Sequence, residues 1–261
     1  PQARQPPSCF ITFFICAMVR FTLVITSMVS AVPAGDDMAL EYVDIAGVQF
    51  KVIKNGESNR RFIWIHGDEK TAAMLLKRHL KDNYGTAFLI ENSEREVFIN
   101  GYVMDPNRIF SQAGAEKNLI KLNGIISKSA VDQTVDLIAN DKEKFFDKIT
   151  PPNGGLLIAL HNNLRNYSID EEIPFSTEVS LKNGKHPHHH NIFICTNRDD
   201  YNLLSKSPYN VVLQETQPKK DNGSLSWFVA RKGVRFINIE TRLGYLSIQT
   251  KMLQYVEEHL E

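Results

Sequence analysis

The sequence predicts an α/β fold: a mixed, largely parallel sheet with helices on both faces. Two observations predict it. Short apolar runs at residues 61–67, 155–160 and 235–241 read as strands buried on both faces, as parallel sheets require. Between such runs lie stretches with apolar residues at helical spacing, so strands and helices alternate.

The elements follow in order. EYVDIAGVQFKV (41–52) alternates as a hairpin does. RFIWIHG (61–67) is a continuous apolar run suited to a central strand. EKTAAMLLKRHLK (69–81) sets Ala72, Ala73, Leu76 and Leu80 at helical spacing. Residues 86–90 give another strand, and EVFINGYV (96–103) a further one. Residues 129–149 form the clearest amphipathic helix, with Ser129 as N-cap and Pro151, Pro152, Gly154 and Gly155 as its stop. GLLIAL (155–160) is a buried strand ending at His161. Residues 164–190 are polar and read as a long loop, the kind of segment that carries binding residues. Strands at 191–196, 210–214 and 235–241 alternate with helices at 199–206, 224–232 and 247–258.

The chain has 261 residues, with 30 basic against 30 acidic, and no basic stripe, so nucleic acid is not an expected partner. Cys9 to Val32 is nearly all apolar. From Met18 a short basic start, an apolar stretch and the small-residue sequence SAVPA follow one another. Residues 1–34 therefore read as a signal peptide cut after Ala34, with Met18 as an alternative start, and residues 35–261 as one catalytic domain. This predicts a secreted or periplasmic protein. The competing reading is an uncleaved membrane anchor, which alone would give the chain a stable membrane partner. After cleavage Cys195 is the remaining cysteine, and its place in NIFIC suits a buried, inert thiol.

Four polar residues stand at or just past the ends of apolar runs: His66 and Glu69 in IWIHGDE, His161 in LLIALHNN, and Glu240 in FINIETR. Unpaired imidazoles and carboxylates are costly in such places. In α/β sheets ligands bind at the carboxyl ends of strands, where three of the four lie. Two His and one Glu as ligands, with a second Glu as base, is the layout of a zinc hydrolase. Each residue alone has a plainer reading: His-x-x-Glu is a short motif, His161 could be a hydrogen-bonded core histidine, and Glu240 could pair with an arginine. The combination in this order carries the argument.

With these residues in view, the chain resembles the zinc carboxypeptidase superfamily, including its murein-peptide amidase and succinylglutamate desuccinylase/aspartoacylase branches. HGDE resembles the first ligand motif, Asp105-Pro106-Asn107-Arg108-Ile109-Phe110 the Asp-x-Asn-Arg-x-Phe segment, and His161-Asn162 the second ligand motif. Gly223-Ser224-Leu225-Ser226-Trp227 followed by FINIETRLG is similar to the stretch leading to the catalytic Glu. The resemblance implies one Zn²⁺ on His66, Glu69 and His161, with Glu240 as general base. It also implies Asn107 and Arg108 as a clamp for a substrate carboxylate. The substrate would be a peptide or cell-wall-type peptide cut at an amide near a free carboxylate. A small N-acyl amino acid, cleaved by a deacylase of the desuccinylase/aspartoacylase type, is the alternative. Asn100 stands where the family places a second arginine, the nearest upstream arginine being Arg95, and Gln217-Pro218-Lys219-Lys220 stands where carboxypeptidases carry a tyrosine. These departures motivate a third reading, a non-catalytic binding module on the same fold. The tract GKHPHHHN, with His186, His188, His189 and His190, reads as a solvated polar loop rather than a second metal site.

Overall fold

The computed structural model describes residues 41–163, 167–182, 189–215 and 221–260. The expected signal segment lies outside them. Strands β1 (Tyr42–Ile45) and β2 (Val48–Asn55) form the expected hairpin. Next come β3 (Arg60–Trp64), α1 (Lys70–Asp82) and β4 (Gly85–Ile90). The single strand expected over 96–103 is instead a second hairpin, β5 (Val97–Ile99) and β6 (Tyr102–Met104). Asn100 and Gly101 both have positive φ (52° and 80°), the turn that an Asn-Gly pair favours.

A 3-10 turn at Pro106–Arg108 leads into α2 (Gln112–Asn123), a helix the sequence reading does not contain. Its buried stripe is only Gly114, Ala115 and Leu119, too thin to show as periodicity. Helix α3 (Lys128–Ile149) starts earlier than expected: Ser127, not Ser129, is the N-cap, accepting from the Ala130 N–H. Strand β7 (Leu156–Asn163) runs two residues past His161. The expected loop holds structure of its own: α4 (Ile169–Glu172), a 3-10 turn at Ile173–Phe175 and β8 (Glu178–Ser180). Then follow β9 (Ile192–Cys195), α5 (Arg198–Leu204), β10 (Asn210–Leu213), α6 (Leu225–Arg231), β11 (Phe236–Arg242) and α7 (Leu246–His259).

Nine strands form one sheet in the order β1-β2-β4-β3-β7-β11-β9-β10-β8. The central four, β4, β3, β7 and β11, are mutually parallel, and β9 runs antiparallel to β11. Side-chain parity sorts the two faces. Asn162 of β7 reaches Gln249 of α7 and the Ala72 N–H of α1, so α1 and α7 cover that face. On the other, Phe145 of α3 packs on Phe50 of β2, and Phe146 of α3 on Phe228 of α6. The expected α/β class, with helices on both faces, is the one observed.

All eight residues of β7 are buried. Each Leu or Ile there contributes roughly 1.5–3 kcal/mol. A one-residue slip would invert every side chain, so this burial fixes which face His161 meets. Cys195 is buried as expected, its Sγ against the Val212 carbonyl, and burial pushes its thiol up. No helix among the described residues is long and apolar enough to cross a membrane.

Candidate metal centre

Three neighbouring parallel strands deliver the site. β3 and β11 flank β7, and all three point their carboxyl ends the same way. His66 lies two residues beyond β3, His161 is on β7, and Glu240 on β11 is the register partner of His161. Adjacent strands lie about 4.8 Å apart, so these side chains must meet if they share a face. Glu69 comes from the turn between β3 and α1. It occupies the N-cap position of α1 but makes no cap bond, leaving its carboxylate for the site. Trp64 Nε1 donates to the Glu69 carbonyl (3.1 Å) and fixes this turn. Gly67 is required there, because any β-carbon would collide with the Asn92 carbonyl.

The result is a tight trio. His66 Nδ1 lies 2.9 Å from Glu69 Oε1, and His161 Nδ1 2.9 Å from Glu69 Oε2. The two Nδ1 atoms are 3.3 Å apart. One atom from each residue lies within 4.8 Å of the others, and all three residues are buried. Two imidazole nitrogens and a carboxylate facing one another repel unless a proton or a cation sits among them. The donor set of two nitrogens and one oxygen suits a divalent metal with an open position. The trio can therefore hold a metal ion.

The surroundings favour the same use. His66 Nε2 meets Asp105 Oδ1 at 2.8 Å, which fixes the ring and leaves Nδ1 turned inward, the support metal-ligating histidines commonly have. Asn162 N–H donates to Glu69 Oε2 (3.0 Å), and Arg95 donates to Glu69 Oε1 (3.0 Å). Arg95 also lies 3.9 Å from Asp105. The nearest upstream arginine is thus at the site, set against the buried Glu69 and the part-buried Asp105, carboxylates that need a counter-charge. Burial alone would lower His66, but Glu69 and Asp105 reverse this and raise it to about 9. Burial would raise Glu69, yet His161 and His66 hold it well below the usual carboxylate range.

Glu240 lines the same cavity, of about 680 Å³. Burial raises its carboxyl, and the charges of Glu69 and Glu172 add to this against His161. Asn238 Nδ2 donates to its Oε1 (3.1 Å). Asn107 and Arg108 also line the cavity. Asn107 Oδ1 accepts from the Leu225 N–H (2.9 Å), which fixes the side-chain amide, and its amide nitrogen remains free to donate. Leu225 itself is buried and does not line the cavity. Gly223, with φ of 79°, sits where a side chain would strike the Arg108 carbonyl, and this close approach docks the two segments.

Every predicted site residue thus reaches one cavity. The sequence reading does not contain Tyr167, Glu172 and Gln214, which also line the cavity. His186 and His188 lie outside the described residues. His190 Nδ1 is bonded to the Tyr167 carbonyl (2.6 Å), and the described residues hold no second metal cluster.

No family model and no curated protein matches the chain. Solved structures do. It is similar to a "putative metallopeptidase" from Shewanella baltica OS155 at 11% identity, over 84% of this chain and 86% of that one, with a TM-score of 0.43. It is similar to the product-bound ectoine utilization protein EutE (DoeB) from Ruegeria pomeroyi at 13% identity and a TM-score of 0.42. That match covers 80% of this chain and 59% of the other. It is also similar to an aspartoacylase family protein from Mesorhizobium loti at 16% identity and a TM-score of 0.39, with the same coverages of 80% and 59%. The chemistry below rests on the side chains.

Proposed function

We propose that the protein is a zinc-dependent amidohydrolase, exported from the cell, that cleaves an amide bond near a free carboxylate in a peptide or cell-wall-type peptide. The observation that carries this is the convergence of His66, Glu69 and His161 beside Glu240 on the adjoining strand. Bound there, the ion would supply acidified water and a polarised carbonyl. The residues do the rest. Asn238 occupies Glu240 Oε1, which leaves Oε2 to take the proton from the attacking water and return it to the departing amine. Burial suits Glu240 to this, because it brings the carboxyl nearer the working pH. Arg108 spends NH1 on the Asn107 carbonyl (2.8 Å), and its other N–H groups remain to fork onto a substrate carboxylate. Asp105 keeps the His66 ring oriented.

The test offers the zinc-loaded protein a library of peptides and, separately, N-acyl amino acids. Peptide turnover is expected, with kcat in Glu240→Gln down by about 10²–10⁴ and the metal retained. Turnover confined to N-acyl amino acids would reassign the activity to a deacylase. No turnover by either protein, with ligand binding intact in both, would make the chain a binding module.

A further inference from the structure

Helix α1 begins without a cap of its own. Glu69 holds the N-cap position, where a side-chain oxygen ordinarily accepts from the N–H two or three residues on, yet its carboxylate makes no such bond. The oxygen comes instead from a strand. Asn162 of β7, 90 residues away in sequence, sets its Oδ1 2.7 Å from the Ala72 N–H, the third of the helix. The partners of Asn162 fix which way its amide faces. Nδ2 donates to Gln249 Oε1 on α7 (3.1 Å) and to Thr241 Oγ1 on β11 (3.3 Å). Gln249 in turn donates through Nε2 to the His161 carbonyl (2.9 Å), so its own Oε1 must be the acceptor. Gln249 and Thr241 are 0% exposed and Asn162 1%, which leaves water no access to replace these bonds. The backbone N–H of Asn162 meanwhile donates to Glu69 Oε2 (3.0 Å).

We propose that Asn162 is a surrogate N-cap for α1, and that by capping the helix it keeps the Glu69 carboxylate free to hold the metal, with Gln249 locking the amide in place. The start of a helix carries unmet N–H donors and a partial positive charge, and both attract a carboxylate. Glu69 is the residue at that end. An uncapped α1 would draw its side chain onto the Ala72 N–H and away from His66 and His161. The side chain of Asn162 acts through Glu69, which makes it a positioning residue. If the network were only a staple joining α1, β7 and α7, losing one of its bonds would lower stability and leave zinc affinity alone.

The inference rests on His66, Glu69 and His161 being a metal centre, and its test separates the two claims. Chelator competition gives zinc affinity, and NMR gives amide exchange at Ala72 in the metal-free protein. In Asn162→Ala the Ala72 N–H should exchange about ten-fold faster, and zinc should bind about ten-fold more weakly. Asn162→Asp returns an oxygen to the cap and should keep both close to wild type. Thr241→Val removes a bond of the same network but leaves the cap, and should leave zinc affinity unchanged. Gln249→Met frees the amide to turn. It should weaken zinc about three-fold, and provides the reading if Asn162→Ala does not fold. Zinc affinity unchanged in Asn162→Ala or, failing that variant, in Gln249→Met overturns the proposal. So does an equal loss in Asn162→Asp or Thr241→Val. A wild type that binds no zinc defeats the metal centre itself. Exchange then decides the cap alone: faster exchange in Asn162→Ala upholds it, and unchanged exchange overturns it.

Discussion

The cavity has two unlike walls. On the strand-end wall, the side-chain nitrogens and oxygens of His66, Glu69 and Asp105 face one another across 2.8–2.9 Å, carried by the β3–α1 turn that Trp64 pins and by the N-cap of the 3-10 turn after β6. On the loop wall, Glu172 and Gln214 have acceptors to spare and are carried by a four-residue helix and the end of an outer strand. The difference teaches a division of labour. The rigid wall supplies a geometry that must not move, and the loop wall supplies cavity lining in which the Gln214 Oε1 acceptor is unmet.

Asp105→Asn attacks the first wall and should have the largest effect. The ring of His66 loses its charged partner, so zinc affinity should fall about 10–100-fold. Gln214→Met on the second wall should leave zinc affinity unchanged. Chelator competition on both variants checks this, and equal losses would erase the distinction.

A smaller effect sharpens it through pH. In the metal-free protein His66 is raised from the ordinary 6.5 to about 9. A raised histidine contributes stability that is fully present below pH 6.5 and lost as pH climbs through about 9. A metal replaces that proton, so the loaded protein escapes the loss. The Tm gap between loaded and metal-free protein should therefore widen by several degrees between pH 6.5 and 9, and a constant gap would count against the trio as the binding site.

The legibility of the sequence divides along the same line. Strand-end chemistry shows because apolar runs such as GLLIAL are conspicuous and a histidine at their end is out of place. Parallel order then brings His66, His161 and Glu240 together. The second hairpin was legible too, since Asn100-Gly101 marks its turn, but the apolar residues around it read as one strand. Helix α2 hides because its buried stripe is small. Tyr167, Glu172 and Gln214 hide for a different reason. Their meeting depends on a short helix touching an outer strand 42 residues away, and no local pattern encodes that contact.

The claim beneath all of this is that one divalent cation sits among residues 66, 69 and 161. The direct measurement is metal content of the purified chain, wild type against His161→Ala, after zinc loading and extensive dialysis. Close to one zinc per wild-type chain and none in the variant is the expected result. Zinc retained equally by both, or by neither, would contradict it.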